Sequence, residues 1–244
     1  MRKPRVGLVV PSVQTVTESL YHRLFSDDFE FVTQRMRLLG GKPEDLQAME
    51  ADAPSAIAAL RDADVDAILY CCTGSSAVQG FEKERTFCQQ MEALADVPFI
   101  STMTSCVKAL RRLDAKTINM VTPNDPGVRE LEEVYLQKVG FKIVKSYGFG
   151  ITDGKQFAYL TPESIAETAL NGWDADADAL FLSCMNWHAT KVMFEIWNAI
   201  SKPVVTSHSA SIWEVWNTLV EDVDYESFSR KHLAKQIAER MIEA

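Results

Sequence analysis

The chain has 244 residues, enough for one large domain or two small ones, and 47% of them are apolar, enough to bury a core. Its net charge of −9 argues against a nucleic-acid or anionic-membrane partner, either of which needs a basic face. No apolar run approaches the roughly 20 residues that span a bilayer, and Met1-Arg2-Lys3-Pro4 leads into a strand-length run, so the expected location is the cytoplasm.

Short β-branched runs alternate with longer amphipathic stretches, the pattern of βα units around a parallel sheet. Strands are expected at Val6–Val10, Phe29–Val32, Ala67–Cys71 and Phe99–Ser101, then at Ile118–Thr122, Lys142–Tyr147, Ala179–Ser183 and Val204–Thr206. Helices are expected at Thr15–Leu24, Pro54–Asp62, Phe81–Ala95 and Thr104–Leu113 in the first half. In the second they fall at Val128–Val139, Pro162–Leu170, Thr190–Ile200 and Ala210–Val220, with one more after Tyr225. Pro54 and Pro162 suit a first helical turn, where a missing N–H matters little.

The chain also repeats itself. Asp62–Cys72 matches Asp174–Cys184 at an offset of 112 residues, and the same offset carries Val6–Pro11 onto Ile118–Pro123. A nearby offset of 105 carries Val97–Thr102 onto Lys202–Ser207. The fold expected from this is α/β, with two Rossmann-like lobes whose parallel sheets are related by pseudo-twofold symmetry. Residues 1–97 plus 206–244 are assigned to the first lobe and 98–205 to the second. Ligands of open α/β sheets bind beyond the carboxyl ends of the strands. A cleft between the lobes would therefore bring Cys72 and Cys184 face to face.

A thiol titrates near pH 8.5 and suits proton transfer or nucleophilic addition. Cys72 is followed by Thr73, Gly74 and Ser75, small and hydroxyl residues that let a backbone approach an anion; Met185 and Asn186 hold the equivalent place after Cys184. The turn containing Ser12 and Gln14, and its counterpart containing Asn124, also follow strand ends and should line the same cleft. Cys71, Cys88 and Cys106 read as core thiols, since a reducing compartment disfavours disulfides and an odd, scattered set suits neither a disulfide framework nor zinc. His188 and His208 read as hydrogen-bonded rim residues, and the clusters Asp62–Asp66 and Asp174–Asp178 as solvated turns. Without a GxGxxG, P-loop or metal-binding pair, no cofactor or metal is implied.

The segments Gly7–Ser12, Tyr70–Ser75, Ser101–Met103, Val121–Pro123, Leu182–Cys184 and Pro203–Ser207 resemble, in order and spacing, the Asp/Glu/hydantoin racemase superfamily. The resemblance is closest to its branch of maleate cis–trans isomerases and arylmalonate decarboxylases, and covers almost the whole chain. It implies a cofactor-independent enzyme acting on a small carboxylate or dicarboxylate; a homo-oligomer is compatible with it. The decarboxylases have glycine at the position of Cys72, so the presence of both cysteines favours isomerase chemistry. Cys72 would then add as nucleophile and Cys184 serve as acid and base. Racemisation or decarboxylation of another α-substituted acid is the alternative. Three positions depart from the isomerase pattern: Gln14 and Gly154 stand where that pattern has asparagine, and Asn124 where it has tyrosine.

Overall fold

Strand β1 (Arg5–Pro11) is buried along six of its seven residues and lies at the centre of a sheet, as a continuous apolar run should. The computed structural model describes residues 2–241. In the first sheet β1 is flanked by β2 (Glu30–Met36) and β3 (Ala67–Tyr70), and β3 by β4 (Phe99–Ser101), giving the all-parallel order β2-β1-β3-β4. The second sheet comprises β5 (Thr117–Asn124), β6 (Lys142–Ile151), β7 (Ala179–Leu182) and β8 (Val204–Thr206) in the equivalent order β6-β5-β7-β8.

The repeat survives in the register. Val6 pairs with Ala67 and Phe31 in the first sheet; Ile118, 112 residues on, pairs with Ala179 and Ile143 in the second. The aspartates before β3 and β7 are equivalent too. Asp66 accepts the Arg5 N–H at 2.7 Å, and Asp178 accepts those of Lys116 and Thr117, each at 2.9 Å. The acidic clusters are therefore more than solvated turns, because one carboxylate of each holds backbone N–H groups at the mouth of a central strand.

The long helices follow expectation to within a few residues: α1 (Val16–Phe25), α3 (Ala53–Arg61), α5 (Phe81–Ala95), α6 (Thr102–Arg112), α7 (Pro126–Lys138), α8 (Pro162–Asn171), α9 (Ala189–Ile200) and α10 (Ser207–Leu219). Two seven-residue helices, α2 (Pro43–Met49) and α4 (Thr73–Gln79), were not expected. Each is too short to show a periodic apolar stripe, and α4 opens on Thr-Gly-Ser-Ser, weak helix formers. The expected helix after Tyr225 is present but relaxes through a π-type turn at Phe228–Leu233 before α12 (Ala234–Arg240), a short α11 (Tyr225–Ser227) preceding it.

The sheets depart from the assigned boundaries at two edges, the smaller being Thr206, which was given to the first lobe but ends β8 of the second sheet. Phe99–Ser101, assigned to the second lobe, hydrogen-bonds to β3 and closes the first sheet, so that sheet runs past residue 97. Helix α6 then leaves the edge of the first sheet, α10 leaves that of the second, and the two helices pack together. The last segment lies back on the first half, where Phe228 stacks on Phe25 and Trp216 meets Phe29 edge-on.

Candidate active site

Both cysteines stand two residues beyond equivalent central strands, β3 and β7, and line one cavity of about 50 Å³. On the order of four water-sized groups fill such a space, which suits a small organic acid and not a nucleotide. Cys72 is the N-cap residue of α4: its Sγ accepts the Ser75 N–H at 3.4 Å, where oxygen caps are the rule. The Asn186 N–H reaches the Cys184 Sγ at 3.2 Å, and the Cys184 N–H donates to the Ser207 hydroxyl at 3.0 Å. Cys184 carries a φ of 151°, a conformation that residues with a Cβ rarely adopt, whereas Cys72 sits in ordinary extended backbone at −151°.

Burial pushes the Cys72 thiol up to about 12, against the opposing pull of the Ser75 and Gly74 N–H groups, and nearby Glu50 and Glu132 push the same way. Burial raises Cys184 further, again against its N–H donors and with Glu132 and Cys72 adding to the rise. Both rest as thiols at neutral pH. Among the described residues no lysine, arginine or histidine lines the cavity, so its donors there are backbone N–H groups and neutral side chains.

A sequence model of the family described as arylmalonate decarboxylase matches residues 6–231. The chain belongs to that family. Among relatives, a maleate isomerase of Nocardia farcinica is 30% identical over 74% of this chain and 75% of its own. A maleate isomerase of Alcaligenes faecalis is 24% identical over 90% of this chain and 91% of its own. Among solved structures, the Nocardia farcinica maleate cis–trans isomerase, a cysteine-to-serine mutant with a covalently bound succinylcysteine intermediate, superposes with a TM-score of 0.85. The identity there is 24%, with 89% of this chain and 93% of the other covered.

Within this arylmalonate decarboxylase family fold, most of the residues singled out from the sequence converge. Gln14, Thr73, Gly74, Asn124, Met185 and Asn186 line the cavity with the two cysteines, as does Gly154. Gln14 is committed at both ends, donating to the Cys71 carbonyl at 2.7 Å and accepting from Thr17 at 2.8 Å. Asn186 clasps the cavity's rim. Its Oδ1 accepts the Thr15 N–H at 2.9 Å and its Nδ2 donates to the Gly154 carbonyl at 2.8 Å.

Two expected site residues lie elsewhere. Ser12 is exposed, and its hydroxyl accepts the Leu38 N–H at 3.0 Å, tying the turn after β1 to the end of β2. Ser75 is buried behind Cys72, where its hydroxyl donates to Glu50 at 2.6 Å; only its N–H serves the site. Of the histidines, His208 is no rim residue. It is buried against Thr17 and Tyr21, and desolvation lowers it to about 3, so it stays neutral. His188 lines a separate surface cavity with Arg23 and Lys191.

The cavity's apolar wall was missed. Leu38 and Gly41 come from the loop after β2, Leu46 from α2, and Phe157 from a 3-10 turn (Gln156–Tyr159) after β6. Leu38 follows the end of β2 at Met36, a position hidden from the sequence because the strand was expected to stop at Val32. Glu132 was missed as well. It lies between Val128 and Leu136 on the buried stripe of α7, and an acid at that spacing is the signal.

Proposed function

We propose that this chain is a cofactor-independent isomerase of the maleate cis–trans type, with Cys72 as nucleophile and Cys184 as proton carrier. The observation that carries the reading is that these two thiols, equivalent in the repeat, line one small cavity. In the reaction the Cys72 thiol first gives its proton to solvent, and the resulting thiolate forms a bond to one alkene carbon of a cis-enedioate while the π electrons move to the other. That carbon takes the proton of the Cys184 thiol, leaving a single bond free to rotate. Cys184 thiolate then removes the proton from the same carbon, the double bond reforms, and the C–S bond breaks to release the trans acid and the Cys72 thiolate. The Ser75 N–H, already on Sγ, stabilises the thiolate that begins and ends the cycle. The succinylcysteine in the Nocardia relative is the thioether that addition of a cysteine to maleate gives.

The test is conversion of maleate to fumarate followed by proton NMR without added cofactor. Wild type converts; Cys72→Ala and Cys184→Ala do not. Wild type that leaves maleate untouched over days overturns the reading. A second reading, racemisation or decarboxylation of another α-substituted acid, is favoured by the apolar wall of Leu38, Leu46 and Phe157 and by the lack, among the described residues, of a cation to hold a second carboxylate. Deuterium uptake at the α-carbon of candidate acids in heavy water, with maleate inert, would select it. In the same reading the enzyme works in the cytoplasm, where all five cysteines stay reduced, without nucleic-acid partners, and a homo-oligomer is compatible with it. Among the described residues no helix is long and apolar enough to cross a membrane.

A further inference from the structure

Glu132 is fully buried, and among the described residues no lysine, arginine or histidine forms an ion pair with it. A carboxylate so placed is costly unless its neighbours compensate, and here the compensation comes from neutral donors. One oxygen accepts from the Ser183 hydroxyl at 2.6 Å, beside Cys184, and the other from the Asn124 amide nitrogen at 3.4 Å. Asn124 lines the cavity, and its amide oxygen makes no hydrogen bond to a described residue. Glu132 thus touches the backs of two cavity-wall segments without entering the cavity itself.

From this geometry we infer that Glu132 is a proton-linked positioning residue, which through Asn124 decides whether the cavity offers a carboxylate a donor or an acceptor. The inference rests on the carboxylate-isomerase reading above. An ionised Glu132 can only accept, so it holds the Asn124 NH₂ and leaves the amide oxygen to face substrate. A protonated Glu132 has an O–H to give. It donates to the amide oxygen, the Asn124 side chain turns over, and the NH₂ enters the cavity as a donor. The neutral form also removes a negative charge that opposes thiolate formation at Cys72 and Cys184.

Burial raises the Glu132 carboxyl to about 7, against the pull of Ser183, Asn124 and Thr122, which places the change in the physiological range. The titratable groups that interact with it are Cys72 before α4, Cys184 after β7, Cys106 on α6 and Glu133 on its own helix; the neighbouring strand β6 carries Lys142, Lys145 and Tyr147, none of them paired with it among the described residues.

The probe is fumarate, whose carboxyls are both ionised across pH 6–8, so that only the protein titrates. Its affinity for wild type, measured by calorimetry, should fall about tenfold between pH 6 and pH 8, as expected when only the protonated site binds. Glu132→Gln keeps the acceptor for Ser183 and offers Asn124 a permanent donor, so its affinity should stay high and flat. Iodoacetamide, followed by mass spectrometry at pH 8, should label Cys72 and Cys184 faster in Glu132→Gln than in wild type. A flat wild-type profile overturns the inference even if the variant does not fold, and so does an unchanged slope in the variant. If fumarate binds wild type at neither pH, the isomerase reading has failed instead. The alkylation comparison then decides alone, and equal rates in the two proteins overturn the inference.

Discussion

Asn186 offers the sharpest test of how the cavity is held together. It is almost fully buried, and its amide spans two segments far apart in sequence, with the Thr15 N–H at 2.9 Å on one side and the Gly154 carbonyl at 2.8 Å on the other. Replacing it with alanine removes two bonds worth about 1 kcal/mol each and leaves the buried Gly154 carbonyl without a partner, for a total loss of about 3 kcal/mol. For a chain of this size that corresponds to a drop of roughly 6–12 °C in melting temperature. Aspartate is nearly isosteric, yet it is expected to do worse at pH 8. It keeps the Thr15 contact, but its second oxygen faces the Gly154 carbonyl as a buried, uncompensated charge. Protonation restores a donor to that oxygen, so the gap between the two variants should close as pH falls toward the carboxylate range. Differential scanning calorimetry of both variants between pH 5 and pH 8 makes the comparison. An Asn186→Asp variant as stable as wild type at pH 8 would refute the clasp.

Three further outcomes follow from the same structure. Because Cys184 sits at a φ of 151°, Cys184→Gly should unfold at a higher temperature than Cys184→Ala, by about 1 kcal/mol of relieved strain, with both inactive. The Lys116 and Thr117 N–H groups hold the Asp178 carboxyl below its usual value, so its contribution is present above about pH 4 and lost as pH falls through the lowered value; Asp178→Asn should flatten the acid limb of stability, by no more than about 1 kcal/mol at so exposed a site. A Cβ added at Gly41 would meet the Thr152 carbonyl oxygen at 2.1 Å, so Gly41→Ala should displace the loop over the cavity and raise KM about tenfold, a binding loss of about 1.4 kcal/mol, while the melting temperature barely moves.

The sheets were legible because their signals are local and occur twice. Ala67–Tyr70 and Ala179–Leu182 are short apolar runs that read as strands, and the offset of 112 that joins them also relates their registers. Helix α5 was read to the residue, since a long amphipathic run bounded by Gly80 and Asp96 leaves little freedom. What escaped depends on tertiary contacts. Ser12 and Ser75 have the composition of anion-binding residues, yet each hydroxyl is taken by a neighbour that sequence does not reveal, Leu38 for one and Glu50 for the other. The apolar wall escaped because α2 and the 3-10 turn carry it, and elements so short follow their surroundings more than their propensity.

The repeat made Cys72 and Cys184 look interchangeable, and the backbone around them argues that they are not. Cys72 caps a helix from unstrained extended backbone, so N–H groups of the first turn converge on its sulfur and the positive end of α4 opposes part of the desolvation. A sulfur in that setting can carry negative charge, attack, and later leave as thiolate. Cys184 opens no helix. A strained φ and a bond from its own N–H to Ser207 aim its side chain, and the Ser183–Glu132 contact stands directly behind it. Glu132 opposes a standing charge at both sulfurs, but burial raises Cys184 the further of the two, which suits a group that holds its proton until a carbanion needs it and reclaims it at once. The division of labour assigned to the two thiols therefore has a physical source in how each strand end continues, a helix after β3 and an irregular turn after β7.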